Sequence, residues 1–416
     1  MCKIRIKRFG PIIESDDCNW IEIKKVTVFI GDQGSGKSSI AKLISTFSWI
    51  EKVLIRGDYQ ARHFTSHNRF RKIYCAYHRI ENYFFDSKNN DVAEFEYSGD
   101  IYDFKYKNGH LSIVNRNQNN QGKLVQVMYV PAERNFISAV KKYNALKELS
   151  PSLLDFFSDF TNAKESIKAP MKLPINDVTI EYDSLNDIIN IKGDNYKIRL
   201  SESSSGFQSV APLYLVSNYY ANLVHEESMS GNREMSSEEM NRFKAGFSSI
   251  WNNDELSEEQ KRVALSVLTK RFNRQAFINI VEEPEQNLFP KSQKDMLYKL
   301  LEFNNMTDGN RLILTTHSPY MINFLNISIQ AKEISGKVKH KNRLDLIPEI
   351  SNIVPESALI ANSDVAIYQL NSNDNRGSVC VLSSEYGIPS DNNLLNAFLR
   401  DGNKIFDDLL SIEEQL

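Results

Sequence analysis

The sequence predicts an α/β fold: a central parallel sheet with helices, a smaller antiparallel β-subdomain and helical insertions. Three observations predict it. The apolar runs Val26 to Ile30, Phe277 to Val281 and Leu312 to Thr316 are short and unbroken, as strands buried on both faces must be. Each stops at a segment that is Gly-rich, acidic or His-bearing, so chemistry collects at strand ends, where open α/β sheets bind ligands. After the first run, Ser39 to Ile50 carries a helical pattern, giving a strand, loop, helix unit.

The elements follow in order. Met1-Cys-Lys-Ile-Arg-Ile alternates apolar and charged residues and is expected to be an edge strand; it has no signal-peptide core. A helical stretch is expected to run to about Phe85. Alternating segments at Val92 to Tyr97, Ile101 to Tyr106 and Leu111 to Val114, with Asn108-Gly109 as a hairpin turn, predict the small antiparallel sheet. Phe136 to Lys168 is helical in pattern, and Val178 to Leu200 returns to short strands. From Gly206 a long helix runs through Val224. Helices are expected around Ser237 to Trp251 and Ser257 to Arg274. Strands near Val365 to Leu370 and Val379 to Leu382, then helices near Leu394 to Leu399 and Lys404 to Leu410, close the chain.

The loop Gly31-Asp-Gln-Gly-Ser-Gly-Lys-Ser38 fits G-x-x-x-x-G-K-[ST] in the strand, loop, helix context that the pattern needs. Its glycines let backbone amides curl around phosphates, Lys37 supplies positive charge, and the Ser38 hydroxyl is a Mg²⁺ ligand. Gly31, Gly34, Ser35, Gly36, Lys37, Ser38 and Ser39 are the candidate nucleotide contacts. Phe277 to Val281 delivers Glu282 and Glu283 to a strand end that Pro284 terminates. Glu282 is assigned to Mg²⁺, through water, and Glu283 to orienting or deprotonating the attacking water. His317 stands just past the strand Leu312 to Thr316, placed to donate to a γ-phosphate.

Two further segments are Pro131-Ala-Glu-Arg134, after the strand Leu124 to Val130, and Ser204-Ser-Gly-Phe-Gln208. The order of these five segments resembles the ABC-type ATPases of the RecF, SMC and OLD group, and most of all the stand-alone ATPases of anti-phage defence operons of the PARIS and Septu kind. The resemblance covers most of the chain, thinly outside the motifs. It implies an ABC-type P-loop NTPase head that binds ATP and Mg²⁺ and closes as a homodimer, or a higher even-numbered oligomer, around the nucleotide. Ser205 and Gly206 match the signature serine and glycine that touch the γ-phosphate held by the other subunit, at a helix N-terminus that attracts anions. Phe207 departs from the second signature glycine and Ser204 from the leucine. Without the family, Ser203-Ser-Ser-Gly would be read as a polar turn.

The resemblance places Pro131 to Arg134 in the loop that joins nucleotide to the helical lobe. Arg134 is then a candidate for a phosphate or a partner carboxylate, and Glu133 for the metal-bound water; the alternative is a Glu133–Arg134 ion pair fixing a turn. Glu285 to Leu288 takes the place of the D-loop. Family members often carry His before the proline that ends this segment, where this chain has Phe289 before Pro290.

The motifs divide the chain into four expected segments. Residues 1–135 form the first part of the head, with the phosphate loop and β-subdomain; 136–225 the helical lobe with the signature; 226–275 a helical insertion; and 276–416 the rest of the head. About seventy residues between Arg134 and Ser205 are too few for an SMC-type coiled-coil arm. The insertion is a candidate partner-docking surface or a solvated helical hairpin. The C-terminal hundred residues show no acidic-strand pattern of a TOPRIM nuclease, so an effector, nuclease or toxin, is expected on a separate protein.

A net charge of −3 gives no general pull toward nucleic acid. A local contact is still possible at Arg62 to Tyr74, which mixes cations and aromatics, although amphipathic helices do the same. Cys2, Cys18, Cys75 and Cys380 have no metal or disulfide spacing, which fits a reducing cytoplasm, and no apolar run approaches membrane-spanning length. The expectation is a cytoplasmic ATPase that senses or scaffolds in anti-phage defence. The alternatives are a DNA-repair or chromosome-maintenance ATPase that binds DNA directly, and a slow ATP-binding scaffold that restrains a toxic partner.

Overall fold

The computed structural model describes residues 2–15, 20–85, 88, 90, 92–116, 122–140, 149–230, 237–252, 261, 265, 268, 273–371, 377–382, 384–385, 388–389 and 392–414. Its strands are β1 (Cys2–Phe9), β2 (Ile12–Ser15), β3 (Ile21–Ile23), β4 (Val26–Gly31), β5 (Glu94–Ser98), β6 (Tyr102–Lys107), β7 (His110–Asn115), β8 (Val125–Val130), β9 (Met171–Lys172), β10 (Thr179–Asp183), β11 (Ile188–Lys192), β12 (Lys197–Arg199), β13 (Ala276–Glu282), β14 (Arg311–Thr316), β15 (Val365–Asn371) and β16 (Ser378–Val381), followed by the short pair β17 (Ser384–Glu385) and β18 (Ile388–Pro389). The helices are α1 (Lys37–Arg56), α2 (Phe136–Ala139), α3 (Pro151–Glu165), α4 (Ser205–Ser230), α5 (Ser237–Trp251), α6 (Pro290–Asn305), α7 (Pro319–His340), α8 (Ile347–Ile353) and α9 (Leu394–Glu413).

One 12-stranded sheet runs in the order β7-β6-β5-β1-β2-β16-β15-β4-β14-β13-β8, with β3 beside β1. From β15 to β8 the strands are parallel, with Thr316 beside Ile30, Glu282 beside Thr315 and Val281 beside Val130. This half carries the wholly buried runs of β4 and β13, and their apolar sequences follow from helices covering both faces. In the other half neighbouring strands pair antiparallel, except that β2 runs parallel to β16. β5 to β7 form the expected hairpins, with Asn108 and Gly109 both at positive φ as a two-residue turn requires. A separate 4-stranded sheet, β12-β11-β10-β9, leads into α4. The fold is thus α/β, and no long coiled coil occurs among the described residues.

Three expectations are corrected. β1 is interior, pairing with β2, β3 and β5; its alternation comes from one buried face, which an interior antiparallel strand shares with an edge one. After α1 the chain takes only short turns, at Ala61–His63, Phe70–Cys75 and Ala76–His78, because its large aromatics pack into the core singly instead of on one helical stripe. The closing helices are one, α9, since Asp401 to Asn403 adopt helix without a break. The region 257–274 lies mostly outside the described residues, as does Cys18. Among the described residues no helix is long and apolar enough to cross a membrane.

Two apolar cores sandwich the sheet. One lies under α3, α4, α6 and α7; the other lies under α1 and the antiparallel strands, where Phe47 stacks between Phe70 and Tyr97 at centroid distances of 5.1 and 5.0 Å. Phe64 and Phe70, from the cation-aromatic stretch, are buried there, and Arg71 lies over the Phe85 ring. Ile73 is exposed.

Candidate functional site

The carboxyl ends of β4, β14, β13 and β8 lie side by side, and each is followed by one of the sequence motifs. β4 leads into the loop that ends at Lys37, the first residue of α1, with Gly36 as N-cap at φ 103°. A side chain at Gly36 would meet Ile12 Cγ1 at 2.7 Å, so both backbone angle and space demand glycine here. The 20-residue α1 therefore presents free amides and the positive end of its dipole at the loop.

Lys37 is buried, and its ammonium donates to the carbonyls of Gly31 and Asp32, both at 2.8 Å. Its third neighbour is His317 Nδ1, at 3.4 Å. Burial pulls the Lys37 pKa down to about 8, against the pull of the Glu283, Asp32, Glu285 and Glu282 carboxylates. The Ser35 hydroxyl is buried without a hydrogen-bond partner, while Ser38 and Ser39 occupy the first turn of α1.

β13 ends on Glu282, which is 4 % exposed and whose Oε1 has no hydrogen-bond partner. Glu283 then takes φ 43°, in the left-handed region that costs a non-glycine residue about 1–2 kcal/mol, and its amide donates to the Thr315 carbonyl at 2.9 Å. The kink sends successive carboxylates in different directions: Glu282 is buried, and Glu283 Oε1 lies 3.5 Å from His317 Nε2. The His317 partner holds the Glu283 carboxyl below its ordinary pKa, with burial opposing. His317 thus stands between Lys37 and Glu283, joining three strand ends.

Glu285, which the sequence marked only as part of the D-loop segment, fixes that histidine. Its Oε1 accepts from the Thr316 hydroxyl at 2.8 Å and from the His317 amide at 2.7 Å, and burial raises its pKa. The third acid of Glu-Glu-Pro-Glu was the available signal. The Ser318 hydroxyl donates to Gln293 Oε1 at 2.6 Å, which ties the same turn to α6.

Arg134 sits differently from either sequence reading. It is wholly buried, and its guanidinium donates to carbonyls: Nε to Ser209, and Nη atoms to Pro131, Glu282 and Glu283, at 3.2, 3.4, 2.7 and 2.6 Å. Glu133 is exposed and forms no ion pair with it among the described residues. Arg134 thereby clamps the end of β13 to α4. α4 contains Pro212, which lacks the N–H that would bond the Gln208 carbonyl, and the Ser138 hydroxyl supplies that bond at 3.1 Å.

The start of α4 holds the signature residues. Ser204 and Ser205 are exposed, and Phe207 is buried. A side chain on Gly206 would meet the Asn287 carbonyl at 2.9 Å, so glycine lets α4 approach the turn after β13 within the same chain.

The residues fit a bound Mg²⁺. A carboxyl oxygen buried without a partner, as Glu282 Oε1 is, carries a desolvation cost that an adjacent divalent cation offsets. One carboxylate and the Ser38 hydroxyl, completed by phosphates and water, make the hard-oxygen donor set that Mg²⁺ takes in nucleotide sites.

Residues 133–322 match the model of the AAA ATPase domain family, a span that includes Arg134, the signature, both acids and His317, and excludes the phosphate loop. No curated protein matches the chain significantly. Among solved structures, the chain is similar to an SMC head bound to the C-winged helix domain of ScpA, at 12 % identity over 92 % of this chain and 97 % of that one, with a TM-score of 0.41. It is similar to the SMC head domain from Thermotoga maritima, at 12 % identity over 92 % and 98 %, with a TM-score of 0.37. A dimeric bacterial ABC transporter cassette matches at 11 % identity over 77 % and 90 %, with a TM-score of 0.20.

Proposed function

We propose that this chain binds ATP with Mg²⁺ and hydrolyses it as an ABC-type ATPase that closes as a homodimer around the nucleotide. The observation that carries this reading is His317 between Lys37 and Glu283, 3.4 and 3.5 Å away, at the mouth of a Gly-rich loop that opens a 20-residue helix. The loop amides and Lys37 hold the phosphates. Mg²⁺, when bound by Ser38 and Glu282, neutralises phosphate charge. Glu283, ionised at neutral pH, accepts the proton of the attacking water, and His317 orients that carboxylate and donates toward the transferred phosphoryl group.

The dimer is supported by the start of α4, where Ser204 and Ser205 stand exposed on a helix N-terminus suited to an anion from outside the chain. A role as sensor or scaffold for a separate nuclease or toxin in anti-phage defence is supported by the form of the Pro-Ala-Glu-Arg and Glu-Glu-Pro-Glu segments. Direct DNA binding has weaker support, because Phe64 and Phe70 of the cation-aromatic stretch are in the core instead of on a stacking surface.

Phosphate release by the purified protein tests the chemistry. Glu283→Gln keeps shape and loses the base, so hydrolysis should drop by roughly 10²-fold or more while ATP stays bound. Normal turnover in that variant would remove Glu283 from the role.

A further inference from the structure

A cavity of about 420 Å³ opens between α1, β8, α3 and the turn at Tyr74 to His78. Its volume lies in the range of roughly 300–1,000 Å³ typical of small-molecule sites. It is separate from the phosphate loop: its α1 residues, Ser45 to Lys52, lie about 12–22 Å along the helix from Lys37 at 1.5 Å per residue. None of the sequence motifs accounts for it.

Its lining has a distinct chemistry. Rings of Trp49, Tyr74, His78 and Tyr129 form the walls, and the carboxylates of Asp155 and Asp159 share the lining. Trp49 and Tyr74 are 5.8 Å apart between centroids, and His78 and Tyr129 are 4.6 Å apart. Each acid already accepts one phenol hydrogen bond, Asp155 from Tyr77 and Asp159 from Tyr220, which fixes its position and leaves lone pairs over. One polar atom stands ready as well. His78, 3 % exposed, has an Nδ1 without a hydrogen-bond partner, while the buried Tyr129 hydroxyl lies against the Glu282 carboxylate and only its ring faces the cavity. Such an atom is costly to bury unless something meets it.

Aromatic faces attract cations through their quadrupoles, and carboxylates fixed beside them add charge, a pairing that suits an ammonium group. Lys52 is a cation in the lining and interacts with Gln126 Oε1 at 3.4 Å, against two acids. His78 is held neutral, its pKa pulled down to about 3 by burial and then by Lys42, so it adds no opposing charge and keeps an acceptor for an N–H. We propose that this cavity binds a small aliphatic ammonium compound, with Asp155 and Asp159 on its charge and Trp49, Tyr74 and the His78–Tyr129 pair on its hydrocarbon and ammonium faces.

The test is calorimetric titration of the full chain, without nucleotide, using spermidine and putrescine as probes and sodium chloride of matched ionic strength as blank. Saturable binding with one site per chain is expected, unchanged in Lys37→Ala, so that failure of the ATP site and failure of this one are read apart. Asp155→Asn with Asp159→Asn should weaken binding by tenfold or more. Trp49→Ala, at a part-exposed position whose loss leaves the core packed, should weaken it about tenfold and covers the case in which the double variant does not fold. Heat no greater than the salt blank, affinity unaltered by Trp49→Ala in folded protein, or saturation by adenosine in place of the amines would overturn the proposal.

Discussion

Lys37 Nζ stands 3.4 Å from His317 Nδ1 while it donates to the Gly31 and Asp32 carbonyls, both at 2.8 Å, so all three ammonium donors have a neighbour within the chain. The contact links β4 to β14, and it closes a path from the loop through His317 to Glu283. On the proposed reading phosphate exchanges for these partners, and filling of the loop is then coupled to the position of the histidine.

A proton is part of that exchange. Burial sets the Lys37 pKa at about 8, below that of a free lysine, and phosphate oxygens favour the charged form. With its pKa lowered to about 8, part of the lysine is neutral in mildly basic buffer, so binding should take up protons there, and affinity should fall as pH rises through that range. Calorimetry of ATP binding in buffers of different ionisation enthalpy reads the uptake. Equal heats in all buffers would mean that Lys37 stays charged throughout.

Glu285 should act on turnover through His317. Glu285→Ala removes the acceptor of the Thr316 hydroxyl and His317 amide, and a 10- to 100-fold loss of kcat with a smaller change in ATP affinity is expected. Glu285→Gln retains an acceptor oxygen and should recover much of that loss. Equal effects of both variants would point to the charge instead of the hydrogen bonds.

Arg134 should prove a structural clamp. Arg134→Met strands carbonyls of Pro131, Ser209, Glu282 and Glu283 in the interior, and a loss of about 3–5 kcal/mol in urea unfolding is expected, by analogy with breaking a buried charged contact. Arg134→Lys lacks the planar fork and should rescue little. Loss under about 1 kcal/mol, with ATP affinity reduced, would return Arg134 to the phosphate contacts.

What could be read from the sequence was local. Glu282, Glu283 and His317 each end or directly follow a continuous apolar strand, Lys37 follows one across the Gly-rich loop, and parallel pairing of neighbouring strands brings such ends together. The α5 boundaries and the Asn108-Gly109 hairpin were legible for the same reason. Arg134 was not: its partners at Ser209 and Glu282 are 75 and 148 residues away, and they are backbone atoms that any sequence offers. The cavity beside α1 draws on segments spread from Ser45 to Asp159 with no spacing to announce it.

Two inactive variants, mixed, test the split site most directly. On the proposed reading Lys37→Ala disables the loop half of each site, and Ser205→Arg, which sets a bulky cation at the exposed start of α4, blocks the half offered to a second chain. In a heterodimer one intact loop would face one intact Ser205. ATPase activity recovered in the mixture, and absent from either variant alone, is the predicted result once subunit exchange has been demonstrated. No recovery despite exchange, or full activity of Ser205→Arg alone, would contradict a site shared between two chains.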